Sequence, residues 1–441
     1  MRPTLPATVG SEAPGLDVRL AADLARLQTW PPDRVALAEF SRLCHANGLL
    51  ESAIAGYEAL IILEPREAHW PHLLASIFAG YGRLDEALPL LHRTIQLAPD
   101  YLVAWLRLGD ALFKANATAE AESAYQEVLK RAPGNAYALL GLARCDLQFE
   151  RWTAARSHLQ QAVASDPTFA GAQSLLASVF ERLGNPDAAA LARSRVANGG
   201  HYTEAADAWT AELTAYCHNP YTLLTTASSA VADGEPRRAL PALARALLIA
   251  PNDPRIHRQL AKIQRALGDP AEARSQMEQA VALAPLDENM RFDLIELLRN
   301  PKDHAELVRA VEAGLAACPG SAALQFEGGL LAVEAGRLEE AEQRFKFTWQ
   351  NRPDNPAAAR ELAQLYFRTD RSERGIEVLE KIIGRKPLNT AAHVQLVRHG
   401  IETGDGRTAG WLRRATESGA PELPAFELKQ EFQHRFAVGD R

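Results

Sequence analysis

Leu102 to Asn135, LVAWLRLGDALFKANATAEAESAYQEVLKRAPGN, carries the pattern from which the rest of the chain can be read. Trp105 and Leu108 are placed to fill the space between two antiparallel helices, and Gly109 and Ala121 let the two backbones approach closely. Pro133 ends the second helix and presets the turn that follows. The pattern recurs. Pro65, Pro99, Pro133 and Pro167 are 34 residues apart each time, and a second ladder runs through Pro251, Pro285, Pro319, Pro353, Pro387 and Pro421 at the same interval. A fixed period of that length marks a solenoid, in which stacked units share one extended core, so the 441 residues count repeats rather than domains.

On that period the chain resembles the tetratricopeptide repeat family. Trp105, Leu108, Gly109, Leu112, Ala121, Tyr125 and Pro133 occupy family positions 4, 7, 8, 11, 20, 24 and 32. Eleven units from residue 34 to 423 fit the template, and ten carry the position-32 proline. The resemblance implies an all-α fold of helix-turn-helix units stacked into a right-handed superhelix, whose first helices line a concave groove that receives a peptide or protein segment. It names no particular partner.

Taken in order, residues 1–15 lack periodicity and read as a disordered tail, and Leu16, Leu20, Leu24 and Leu27 give residues 16–33 one helical face suited to capping the first repeat. Five repeats follow over residues 34–203. The register then fails: His201 stands where the fifth position-32 proline belongs, and Pro167 and Pro251 are 84 residues apart, two periods plus 16. That surplus predicts an inserted connector helix of about four turns over residues 204–219, entered through Gly199-Gly200. Its apolar stripe, Ala205, Trp209, Leu213 and Tyr216, is expected to pack against the adjoining repeats and set the angle between two arrays. Six repeats occupy residues 220–423. Leu428, Phe432 and Phe436 then make residues 424–441 a second capping helix.

Composition narrows the function. With 47% hydrophobic, 7% aromatic and 23% charged residues the chain is a folded one. A net charge of -7 and a pI near 6.0 supply no global field for nucleic acid, so any anion site must be local. Cys44, Cys145, Cys217 and Cys318 form no CxxC pair and suit a reducing compartment. Neither an apolar leader core nor a run of roughly 18 apolar residues is present, so membrane insertion is not expected and the expected location is cytoplasmic.

Within the first helix of each unit, positions 2, 5, 9 and 12 share one face, because their spacing follows the helical turn. Two groove patches emerge. Leu106, Phe113, Tyr137, Leu140 and Leu147 place apolar side chains on that face in the third and fourth repeats; the competing reading is that neighbouring repeats close over them. Arg255, Arg258, Lys262 and Arg265 fill all four positions in the seventh repeat, with Asn289 and Arg299 added by the eighth, which makes a local site for an acidic segment; the competing reading is a solvated face. The carboxylate-clamp pattern of some family members is missing, since position 5 reads His72, Leu106 and Leu140 and position 9 reads Ser76, Asp110 and Arg144. An asparagine ladder is missing as well.

Catalytic motifs are not found: the chain has no HExxH, GxSxG or GxxxxGK[ST], and Cys217 and His218 are sequence neighbours that would not face each other on a helix. His45, His69 and His72 share groove positions but lack a carboxylate or cysteine placed beside them, so no metal and no cofactor is expected. The expected function is therefore a non-catalytic scaffold or adaptor for a protein or peptide segment. A regulatory or substrate-recruiting subunit of an enzyme complex, and self-association through the end helices, are the alternatives.

Overall fold

The turn between the two helices of a unit needs one residue in the left-handed backbone region, and among the described residues position 15 supplies it in ten of the eleven units. Gly48, Gly82, Gly184, Gly234, Gly268, Gly336 and Gly404 lie there with φ between 72° and 83°, while Asn116, Glu150 and Asp370 hold the same conformation at 61°, 56° and 54°. Glycine adopts it without a Cβ penalty, and the other three bear one. Side-chain caps open many of the first helices: Asp33 accepts from the Ala36 N–H at 3.0 Å and Asn135 from the Ala138 N–H at 2.9 Å.

The structure is a computed structural model that describes residues 13, 15–28, 33–197, 205–300, 303–420 and 423–437. The expected tail, the Trp30-Pro31-Pro32 stop and the Gly199-Gly200 turn lie almost wholly or wholly outside those residues. Among the described residues the chain is all-α, with eleven helix pairs, two end helices and no strand. Packing separates two compact units, Met1–Gln276 and Met277–Arg441. That division falls inside the helix Pro270–Leu283, so the stretch expected to join two arrays lies within the first unit.

In the first unit, Leu16–Leu27 covers the opening pair Arg34–Ala46 and Leu50–Leu63, with Leu16 and Leu20 buried in one cluster with Phe40 and Leu43. Four further pairs follow: His69–Gly80 with Leu84–Leu97, Leu102–Lys114 with Thr118–Arg131, Ala136–Gln148 with Trp152–Ser165, and Ala170–Arg182 with Pro186–Ala197. Pro220–Ala232 packs with Pro236–Ile249, and Pro254–Ala266 leads into the unit boundary. The close approach inferred for Gly109 is visible: a Cβ there would stand 2.6 Å from the Tyr125 ring, and one at Gly141, in the next unit, would also meet that ring. Tyr125 is thus wedged between two glycine-bearing helices, with its hydroxyl donating to Asp110 at 2.7 Å.

In the second unit the pairs from Glu288–Leu297 to Thr408–Glu417 share the same plan, and the end helix Ala425–Ala437 buries Leu428 in their core. Among the described residues no helix is long and apolar enough to cross a membrane.

The connector departs from the single four-turn helix read from the sequence. Ala208–Ala211 forms one α-turn and Glu212–Tyr216 a 3-10 turn, after which Cys217 is extended. The reason is competition for backbone groups. The peptide atoms of Tyr216, Cys217 and His218, which a longer helix would bond internally, are taken by side chains from other helices, as detailed below.

Gly109→Ala is expected to destabilise the first unit by about 1–3 kcal/mol through overpacking against Tyr125. Glu150→Gly, at an exposed position, is expected to stabilise it by roughly 0.5–1 kcal/mol by relieving the left-handed conformation. Urea unfolding midpoints would check both, and a neutral Gly109→Ala or a destabilising Glu150→Gly would contradict this reading of the turn and contact positions.

Candidate peptide-binding groove

The first helices of repeats one to three present Arg42, His69, His72 and Arg107 on adjacent faces, and the connector lies across them. Asp207 is the anchor. Its side chain, 3% exposed, meets His72 Nε2 at 2.8 Å and accepts from the Tyr101 hydroxyl at 2.7 Å, with Arg107 Nε 3.8 Å away. It also caps its own α-turn by accepting from the Trp209 and Thr210 N–H groups at 3.2 and 3.3 Å. Burial alone would raise this carboxyl's pKa; the hydrogen bonds from His72, Tyr101 and the Thr210 backbone outweigh it and hold Asp207 well below the usual carboxylate range. Burial and the neighbouring carboxylate push the Tyr101 phenol the other way.

Trp209 completes the contact. Tyr101 stacks on it with ring centroids 3.8 Å apart, His69 packs at 4.1 Å, and His72 meets it edge-on at 5.1 Å. Leu213 and Tyr216 then join the core that contains Phe40 and Trp70. Arg42 reaches Glu212 at 3.5 Å while its guanidinium lies over the Trp70 and Tyr216 rings. Asn47 grips the main chain on both sides: its amide donates to the Tyr216 carbonyl at 2.8 Å, and its carbonyl accepts from the His218 N–H at 2.7 Å. Arg245, from Pro236–Ile249, donates to the Cys217 carbonyl at 3.0 Å. The groove of the first three repeats is occupied by a segment of the chain itself.

The expected apolar patch is partly assembled. Leu106, Phe113, Tyr137 and Leu140 line one cavity of about 260 Å³ together with Phe169 and Ala205. Arg107, Lys114, Arg144 and Asp110 are at the same cavity. Leu106 and Leu140 are buried, so closure by neighbours accounts for them, whereas Phe113 and Tyr137 remain half-buried. Leu147 is not part of that cavity; it packs on the core around Leu159 and Leu176.

The basic stripe is less cationic than the sequence implies. Arg255 turns back to Asp253, the cap of its own helix, at 2.6 Å, and Arg258 is half-buried, leaving Lys262 and Arg265 the more exposed pair. In the second unit Asn289 is exposed, while Arg299 sits between Glu296 at 2.6 Å and Glu327 at 2.5 Å. Burial raises the pKa of Glu327 against the pull of that arginine. The sequence places these cations correctly on their helices but does not reveal the carboxylates that answer them.

The three histidines go separate ways: His45 Nδ1 lies 3.2 Å from the Tyr57 hydroxyl, His69 Nδ1 is 2.6 Å from Glu67, and His72 is held by Asp207. Among the described residues no group of three His, Cys, Asp or Glu is placed to hold a metal. Asp207, Tyr101, Asn47 and Arg42 were not singled out from the sequence. The available local signal was Asp207 two residues before Trp209, an N-cap arrangement, which does not say where the segment docks.

Comparison with known proteins agrees with the repeat register. Models described as tetratricopeptide repeat match residues 72–136, 112–179, 230–298 and 332–407. DnaJ homolog subfamily C member 3 of Rattus norvegicus is 33% identical over 95 residues, 22% of this chain and 19% of that protein. Protein CTR9 homolog of Arabidopsis thaliana is 32% identical over 146 residues, 32% of this chain and 13% of that protein. The chain thus spans less than a fifth of either relative. The crystal structure of yeast Tom70 aligns over 92% of this chain and 96% of its own, at 12% identity and a TM-score of 0.37. With its proline ladders, its eleven helix pairs and the family models that match more than half of its length, the chain belongs to the tetratricopeptide repeat family.

Proposed function

We propose that this chain is a non-catalytic scaffold that holds a partner protein through a segment carrying an apolar anchor beside acidic residues. The cavity at repeats three to five supports this reading most directly. Its floor of Leu106, Tyr137, Leu140 and Phe169 suits one large apolar side chain, and Lys114 and Arg144 at its edge, both exposed, suit flanking carboxylates. Lys262 and Arg265, both exposed, extend the same charge preference further along. All four cysteines are free, and burial pushes the Cys44 and Cys145 thiols up to about 12, which suits a packing role for those two in place of a reactive one.

Peptides with one Leu or Phe between acidic residues, titrated into the intact chain, test the proposal. Lys114→Glu with Arg144→Glu should weaken their binding by about tenfold or more, equivalent to ~1.4 kcal/mol, and added salt should weaken it further. Helicity should not change. Binding that is unaltered by the charge reversal and by salt would refute the site.

A further inference from the structure

The connector fits the groove of repeats one to three chemically but does not fill it. A cavity of about 240 Å³ remains beside it, lined by Asp207 and Thr210 of the connector and, among others, by Ala75 and Ala79 from the first helix and Leu84 and Leu91 from the second helix of repeat two. Thr210 contributes a small polar side chain to a space that is aliphatic at Ala75, Ala79, Leu84 and Leu91 and charged at Arg107, Asp110 and Lys114. The same segment is held at Asp207 and Trp209, then by Leu213 and Tyr216 in the core, and through its main chain by Asn47. Main-chain capture by an asparagine amide is indifferent to the sequence it holds. Around Asp207 the side-chain specificity of this groove is a carboxylate for His72 and Tyr101, an aromatic ring for Tyr101 and His69, and, beside Thr210, an unfilled space with an aliphatic side at Ala75, Ala79, Leu84 and Leu91.

We propose that the connector is an internal ligand occupying a protein-binding groove, and that the groove's external partner is a segment of the form Asp-x-Trp followed by a large apolar residue. The carboxylate replaces Asp207, the indole replaces Trp209, and the apolar side chain enters the cavity that Thr210 leaves empty. A partner with this sequence gains contacts the resident segment lacks, which is the differential affinity that displacement requires. The inference rests on the reading of the first helices as a peptide groove, but it concerns repeats one to three and not the cavity around Tyr137 and Leu140.

The probes are two fluorescent peptides: one with the sequence of residues 205–219 and one carrying Thr210→Leu. Each is titrated into the intact chain, into an Asp207→Ala/Trp209→Ala variant, and into Arg144→Glu. The double variant should bind the native-sequence peptide at least tenfold more tightly than the unaltered chain does, because its groove is vacated. The Thr210→Leu peptide should bind several-fold more tightly than the native-sequence peptide. Arg144→Glu should give the same values as the unaltered chain even if it abolishes binding at the other cavity, which separates failure of this proposal from failure of the previous one.

Should the double variant lose helicity, Asp207→Asn, which keeps the shape and removes the charge, takes its place with the same expected order. In the unaltered chain, excess Thr210→Leu peptide should also change the Trp209 fluorescence, read against a Trp209→Phe control. Equal binding to vacated and occupied grooves, no binding to a folded vacated groove, a Thr210→Leu peptide no tighter than the native one, or vacated chains that pair through exchanged connectors in place of taking the peptide would each overturn the proposal.

Discussion

The contact between an aromatic ring and a helix that lacks a Cβ sets the geometry on which the whole arrangement depends. Tyr125 can sit between Leu102–Lys114 and Ala136–Gln148 because Gly109 and Gly141 leave room for its ring. The same device appears in the second unit, where Gly329 faces Phe345. Once two helices are held that closely, the turn joining a pair has to be short, and a short turn needs the left-handed residue found at position 15. Each unit then buries its apolar face only against its neighbours. Sixteen surplus residues have no place in such a stack, and here they leave it and cross the first-helix faces.

Where they come to rest follows from hydrogen-bond accounting. A segment with the backbone atoms of Tyr216, Cys217 and His218 outside any helix needs partners for them, and Asn47 and Arg245 are those partners. The carboxylate of Asp207 would be costly to bury alone; enclosed by His72 and Tyr101, and capping its own turn, it is satisfied on both oxygens. His72 Nδ1 is buried without a hydrogen-bond partner. An orphan polar atom at the centre of the contact accords with a segment seated there at some cost, in place of a core optimised for stability alone.

The fold was legible because its determinants are steric and repeat at one interval: the small residue at Gly109, the turn residue at Gly48 or Gly82, and the proline at Pro133 each act within a unit. The groove was legible only as a face. Which residues occupy positions 2, 5, 9 and 12 follows from the helical turn, but what lies over them does not. Leu106 shares a packed cluster with Tyr137 and Ala205 and Leu140 one with Phe169, and Arg299 meets Glu327 from the next repeat. The connector illustrates the limit most sharply. Trp209, Leu213 and Tyr216 were readable as a packing stripe, yet Asp207 and Tyr101 are 106 residues apart, and no periodicity links them.

Amide hydrogen exchange at Trp209 and His218 in the intact chain tests the occupied groove most directly, since their N–H groups are held by Tyr101 and Asp207 in one case and by Asn47 in the other. The account predicts that both exchange at least about a hundredfold more slowly than in a free peptide of the same sequence, and that Asn47→Ala releases His218. Exchange at the free-peptide rate in the unaltered chain would show that the connector does not reside in the groove and would contradict the account.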